Sequence, residues 1–212
     1  MRAMTRIQFA SMRKQPQQRR SREMVERIVA AGRAVLAEEG YDACSTNRIA
    51  TRAGVSPGSV YQYFPDKAAI VAAVIEGWSD ETAERVAASL ADRVGEPGGI
   101  GMVRATVEAL LSALEADPEL LRVVSEELPL AQHKERRTAL ERRVRELTAT
   151  WLAVRPGAST ATDPAVSAWV LVLALENLAV RWVLDSPPVP RERLVEELVA
   201  LVTGYLSAPR PG

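Results

Sequence analysis

The chain has 212 residues, enough for one large or two small domains. Its 47% hydrophobic and 25% charged content is that of a globular protein with a real core, and its single cysteine, Cys44, excludes an internal disulfide framework and fits a reducing cytoplasm. Formal net charge is zero, yet residues 1–67 carry 12 Lys or Arg against 6 Asp or Glu, while residues 68–212 carry 15 against 21. A basic N-terminal third beside an acidic remainder points one end of the molecule at a polyanion.

Residues 1–20 are polar and basic, with Arg2, Arg6, Arg13, Lys14, Arg19 and Arg20 and no acid before Glu23. They read as a flexible arm. Its arginines can lie in a minor groove or across phosphates; alternatively the arm is a solubilising tail, or Met4 or Met12 is the true start. No apolar run follows these basic residues, so the expectation is a chain without a signal peptide. A helix is predicted from Ser21 to Glu39, stopped by Gly40.

The stretch Cys44–Lys67, CSTNRIATRAGVSPGSVYQYFPDK, predicts two short helices joined by a glycine turn. Ser45 caps the first, over Thr46–Ala53, by accepting an orphan backbone N–H. Gly54 stops it, because glycine takes the left-handed conformation cheaply. Ser56 caps again, and Pro57 takes the first helical position, where its missing N–H costs nothing. Val60 and Phe64, four apart, point inward together, leaving Pro57, Gly58, Ser59, Tyr61 and Gln62 outward.

Asp66 caps a long helix from Lys67 to about Arg93, and Gly95–Gly99 is a loop. Further helices are expected over Ile100–Ala116, from Asp117–Pro118 to about Leu128, over Gln132–Val154, from Asp163 to Leu184, and over Pro190–Leu206. The fold class is therefore all-α, with about nine helices. The longest apolar run, Ala168–Leu175, is broken by Glu176 and Asn177 and falls short of the roughly 18 residues of a membrane span, so no membrane partner is expected. The Asp163–Leu184 helix is nonetheless apolar on nearly every side, and the last helix on more than one, which calls for burial against a second copy as well as against its own domain.

The run from Arg27 to Ile70, with Gly40-Tyr41, Ile49-Ala50, Ala53-Gly54-Val55-Ser56, Gly58, Val60-Tyr61, Tyr63-Phe64 and Lys67, resembles the DNA-binding domain of the TetR family of bacterial transcriptional regulators. The rest of the chain is similar to that family in length and helical pattern. Beyond the arm read over residues 1–20, the resemblance implies a helix-turn-helix domain over 21–66 and a helical ligand-binding and dimerisation domain over 67–207, with a tail over 208–212. It implies a cytoplasmic, nucleoid-associated homodimer that reads a near-palindromic operator in double-stranded DNA.

The resemblance lays the second short helix in the major groove, with Ser59 and Gln62 able to hydrogen-bond base edges. Gly58 lets the backbone come close, and Tyr61 projects with Pro57 toward a thymine methyl or a phosphate. Tyr63 and Lys67 match positions that grip the DNA backbone. Thr46 stands at a helix N-terminus beside a phosphate, Asn47 is placed to reach a base, and Arg48 and Arg52 add positive charge.

A small, largely apolar ligand is implied for the C-terminal domain, with Trp78, Met102, Val103, Leu110, Leu121, Val124, Trp151 and Trp169 as apolar lining and Glu126, His133, Glu176 and Asn177 as polar groups. The same Trp and Leu residues are equally what a plain core requires. Leu173, Leu178, Arg181, Leu194, Leu198 and Val202 are the expected dimer contacts, with Arg181 as a partner for Glu176 or Asn177. One His, one Cys and no clustered metal ligands argue against a zinc site or a Cys–His nucleophile, and no G-x-G-x-x-G or P-loop precedes a helix, so neither enzyme nor cofactor is expected. Three function readings stay open at this level: a repressor released by ligand, an activator or co-repressor-dependent regulator, and a DNA-organising factor without a ligand.

Overall fold

The computed structural model describes residues 19–91, 99–128, 145–146, 148–150, 152–153 and 163–208. Among these the protein is all-helical, without a strand. Its contacts divide into two compact units, one built from residues 19–81 with 119–128 and the other from the remaining described residues.

In the first unit, α1 (Arg19–Ala43) buries Val25, Ile28, Val35 and Leu36 along one stripe. The helical run is broken at Gly40, whose φ of 77° and ψ of 176° no β-carbon residue adopts comfortably. The turn that follows leads into α2 (Thr46–Ala53), and Gly54 into α3 (Pro57–Tyr61). The helix α4 (Lys67–Ala91) begins with Asp66 Oδ1 accepting the N–H of Ala69 at 2.9 Å. It buries Ile70, Val71, Val74, Ile75 and Trp78. The approach of α1 to α4 is close at Gly32, where a β-carbon would lie 2.9 Å from Ile70 Cγ2. The same unit takes in α6 (Pro118–Arg122), which runs directly into a π-turn over Val123–Glu127. Leu120, Leu121 and Val123 are buried there, and the π-turn packs on α1.

In the second unit α5 (Ile100–Glu115) packs against α7 (Pro164–Asp185) and α8 (Arg191–Ser207). Arg191 ties α8 to α5: its Nε donates to both Glu115 oxygens at 3.2 and 3.1 Å and its Nη2 to Ser112 Oγ at 3.0 Å. Leu152, Ala168, Leu171 and Val202 form a core cluster, joined by Val103, Leu175 and Leu206. Asp163 caps α7 by accepting the N–H of Ala165 at 2.8 Å, with Pro164 in the first turn as expected.

The predicted helix over Gln132–Val154 lies mostly outside the described residues; those described between 145 and 153 are helical. The α7 helix has 22 residues and a mean hydropathy of 1.5 over its most apolar stretch, which makes it long and apolar enough for a membrane span by length and composition only, a test that core helices of soluble proteins also pass. Counting uninterrupted apolar residues missed this, because a helix that long tolerates the break at Glu176 and Asn177. Only 22% of that stretch is buried within the chain. A helix that pairs with a second copy carries the same apolar surface.

Candidate nucleic-acid interface

The turn between α2 and α3 is built by local hydrogen bonds. Ser45 Oγ accepts the N–H of Arg48 at 3.3 Å, closing the N-terminus of α2. Gly54 ends α2 in the left-handed conformation, φ 65° and ψ 40°, and its N–H donates to Thr51 at 3.1 Å. Val55 then donates to the Ala50 carbonyl at 3.0 Å, turning the chain toward α3. Ser56 Oγ accepts the N–H of Ser59 at 3.1 Å and shares a second bond with Ser59 Oγ at 2.9 Å. Behind α3, Val60 and Phe64 are fully buried, as is Ile49 of α2.

That packing fixes what faces out. Pro57, Gly58, Tyr61 and Gln62 are exposed, and Ser59 is half-buried beside its cap. The helix closes at Tyr61, with Gln62 as its C-cap and Tyr63 beyond. Tyr63 is half-buried, and its hydroxyl lies 3.3 Å from Ser21 Oγ at the start of α1.

The cations around α3 have protein partners. Lys67 sits over the Tyr41 ring, 4.2 Å from its centroid, and donates to the Tyr41 carbonyl at 3.0 Å. Arg52 donates through both terminal nitrogens to Glu38, and Arg48 pairs with Glu39. The hydrogen bond from Arg52 holds the Glu38 carboxyl below the usual carboxylate range and raises the arginine in turn. Arg27 Nη2 donates to the Ala53 carbonyl at 2.6 Å, beside the turn. Burial pushes the Cys44 thiol up, partly offset by the charge of Lys67.

Asn47 is exposed, with its side chain clear of the bond that Thr51 Oγ1 makes to its carbonyl. Thr46, expected beside a phosphate at the start of α2, is buried, at 8% exposure. Sequence reasoning did not find Glu38, Glu39 or Glu127 as neighbours of this surface. Glu127 accepts the N–H of Tyr41 at 2.8 Å across 86 residues of sequence, which no local pattern signals.

The expected ligand-lining residues fall in both units. Trp78, Leu121 and the half-buried Val124 belong to the first, and Met102, Val103 and Leu110, all half-buried, to the second. Glu126 is exposed in the first unit. Glu176 is half-buried. Trp169 and Asn177 are both exposed on α7, Trp169 at 50%. Trp151 and His133 lie outside the described residues. A cleft of about 290 Å³ borders the end of α1, lined by Glu38, Glu39, Asp42, Glu119, Arg122 and Glu127 among others; it is acidic and unsuited to an apolar ligand.

Of the expected dimer contacts, Leu173 and Leu178 are exposed on α7, at 38% and 46%, with Val166 and Trp169 on the same helix. Leu194 is half-buried. Leu198 and Val202 are corrections: both are buried in their own subunit, and the exposed leucine of α8 is Leu201. Arg181 is exposed and donates from Nε to Asp185 at 2.9 Å, one turn along the same helix.

A family model described as "Bacterial regulatory proteins, tetR family" matches residues 28–74, and one described as "Tetracyclin repressor-like, C-terminal domain" matches residues 101–206. The HTH-type transcriptional repressor KstR2 of Rhodococcus jostii is 23% identical over 184 residues, covering 82% of this chain and 87% of that protein. The fatty acid degradation regulator FadR from Bacillus halodurans superposes with a TM-score of 0.69 at 20% identity, covering 93% of this chain and all of that one. A TetR-family regulator from Streptomyces coelicolor reaches 27% identity and a TM-score of 0.61 over 86% of this chain and 97% of its own. Proteins of this kind bind DNA and act as dimers. With half of its length matched by the C-terminal model and the turn, caps and reading helix in place at the other end, the chain belongs to the TetR family of DNA-binding bacterial transcriptional regulators.

Proposed function

We propose that the protein is a homodimeric repressor that occupies a near-palindromic operator overlapping a promoter and leaves it when a small, largely apolar ligand enters the C-terminal domain. The observation that carries the reading is the exposed strip Pro57, Gly58, Tyr61 and Gln62 on the second helix of a helix-turn-helix that a serine cap on each helix, one left-handed glycine and the buried Val60 and Phe64 hold in place. Gln62 offers an amide suited to adenine N6 and N7, and Tyr61 an aromatic edge with a hydroxyl. Lys67, Tyr63 and Arg48 supply contacts to phosphates on either side.

Two reading helices reach successive major grooves only when roughly 34–36 Å apart, so a dimer fixes operator spacing. The exposed apolar side chains Val166, Trp169, Leu173 and Leu178 of α7, with Leu201 of α8, support pairing through these helices. The α4 helix, continuous from the reading domain into the second unit's sequence, is the element suited to carry a ligand-driven change in spacing. Ligand and DNA then oppose each other reciprocally. The half-buried Met102, Leu110 and Glu176 supply apolar surface and one acid in the ligand-binding region.

Selection of genomic fragments by the purified protein at near-physiological salt, read by sequencing, tests the reading. A few sharp sites sharing an inverted repeat upstream of genes are the expected result. Broad binding without a shared motif, lost at modestly higher salt, would replace it with a DNA-organising role.

A further inference from the structure

The π-turn ends on a residue whose contacts lie far from it in sequence. Leu128 N–H donates to the Val123 carbonyl at 3.2 Å, the wide i to i−5 spacing that recurs at functional positions inside helices. At the end of that turn, Glu127 Oε2 accepts the N–H of Tyr41 at 2.8 Å. A β-carbon on Gly40 would stand 2.8 Å from the same oxygen, so the carboxylate fills the space that the glycine leaves open. On the other side of Tyr41, its carbonyl accepts Lys67 Nζ at 3.0 Å and its ring lies under the ammonium. One chain of contacts therefore runs from the π-turn, through the Gly40–Tyr41 corner, to the cation that opens α4. Glu127 falls within the stretch matched by the C-terminal family model, yet its contacts are with the DNA-reading unit.

We propose that Glu127 is a positioning residue for DNA binding, which anchors the Gly40–Tyr41 corner so that Tyr41 holds Lys67 extended toward a phosphate. The proposal rests on the reading of Lys67 as a backbone-gripping residue. A lysine held by one carbonyl and one ring keeps further N–H donors for a phosphate, and has given up much of its rotamer freedom before DNA arrives. Loosening the corner restores that freedom and weakens the grip. Simple electrostatics predicts the opposite sign, since removing an exposed carboxylate from a DNA-binding unit should strengthen binding.

The test measures affinity against salt for two duplexes, an operator recovered by the genomic selection and a mixed-sequence control. Glu127→Ala is expected to weaken both about three- to tenfold, because a phosphate contact is sequence-independent, and to flatten the slope of log K against log salt by up to about 0.9. Glu127→Gln keeps an acceptor at the same reach and is expected within about twofold of the parent. Glu127→Asp keeps the charge but withdraws it by one methylene, and is expected to follow Ala. In a Lys67→Ala background, Glu127→Ala is expected to cost less than about twofold more. Additive losses in that double variant, tighter binding by Glu127→Ala, or a Gln variant no better than Ala would overturn the proposal. If Lys67→Ala alone leaves affinity and slope unchanged, the reading of Lys67 fails first and the role of Glu127 with it. If Lys67→Ala weakens binding and Glu127→Ala does not, the role of Glu127 alone fails. Glu127 is exposed, and thermal unfolding of each variant keeps a folding defect separate from a binding one.

Discussion

In the DNA-reading unit the large apolar side chains turn inward. Val25, Ile28, Leu36, Ile49, Val60, Phe64 and Ile70 are buried, and Tyr61 is the one large hydrophobic residue strongly exposed among those described there. In the second unit Ile100, Val166, Trp169, Leu173, Leu178, Val189 and Leu201 all stand exposed. Among its described residues the first unit buries its large apolar side chains and exposes a single large aromatic, on α3. The second leaves an apolar face unfinished, and water makes that face costly at about 25 cal/mol per Å² until something covers it. A closed set of buried side chains in the first unit and an exposed apolar set in the second suit a DNA-binding protein that acts as a dimer.

The sharpest way to break the contrast is to put a charge on each kind of leucine in the second unit. Leu173→Arg or Leu178→Arg, at exposed positions, should leave the subunit folded but monomeric, with operator affinity down by more than about 100-fold because each half-site is then bound alone. Leu198→Arg, at a buried position, should unfold the subunit instead, since an unpaired charge inside costs several kcal/mol. Sedimentation velocity with circular dichroism separates the two outcomes. If Leu173→Arg stays dimeric, α7 is not the pairing face.

Next in size is the reading surface itself. Tyr61→Ala combined with Gln62→Ala should lower operator affinity about 100-fold while leaving dimer mass and melting temperature unchanged, because good base contacts are worth about 1–3 kcal/mol each and both side chains are exposed. Fluorescence anisotropy on operator and mixed-sequence duplexes should show the loss on the operator alone. An equal loss on both would move these residues from base readout to phosphate contact.

How much of this was legible depended on the reach of each interaction. Ser45, Gly54, Ser56 and Pro57 act within four residues of themselves, so their types and spacing state their roles, and all four occupy the predicted places. Val60 and Phe64 were legible for the same reason. Thr46 was not, because a helix N-terminus can face solvent or core and the sequence does not say which. Leu198 and Val202 failed differently. When a helix is apolar on more than one side, periodicity shows that two faces are needed but not which one the subunit keeps. Glu38 with Arg52 and Glu127 with Tyr41 join residues 14 and 86 positions apart, and only the packed structure brings them together.

A smaller effect is expected at the turn that joins the two short helices. Gly54→Ala places a β-carbon 3.6 Å from Arg27 Nη2, an ordinary contact, so its cost is conformational. At φ 65° that cost is about 1–2 kcal/mol, seen as a lower urea midpoint with an unchanged slope. By contrast Gly77→Ala, where a β-carbon meets nothing within 4 Å, should stabilise α4 by about 0.5–1 kcal/mol. Equal effects at the two positions would remove the case for a left-handed turn.

The smallest expected effect concerns Glu38, which is exposed and therefore screened by solvent and salt. Its carboxyl lies below its ordinary range because Arg52 donates to the ionised form. A lowered folded-state value means that the group binds its proton more weakly folded than unfolded. The contribution to stability is then complete above the ordinary carboxylate range and is lost as pH falls through the lowered value. Glu38→Gln should flatten the acid limb of a plot of stability against pH and leave the neutral region nearly unchanged. The same substitution frees Arg52 for phosphate, so it should tighten binding to mixed-sequence DNA at low salt and steepen the salt dependence. Tighter binding without the change in slope would mean that the arginine never reaches a phosphate, and that the pair serves only to hold α2 against α1.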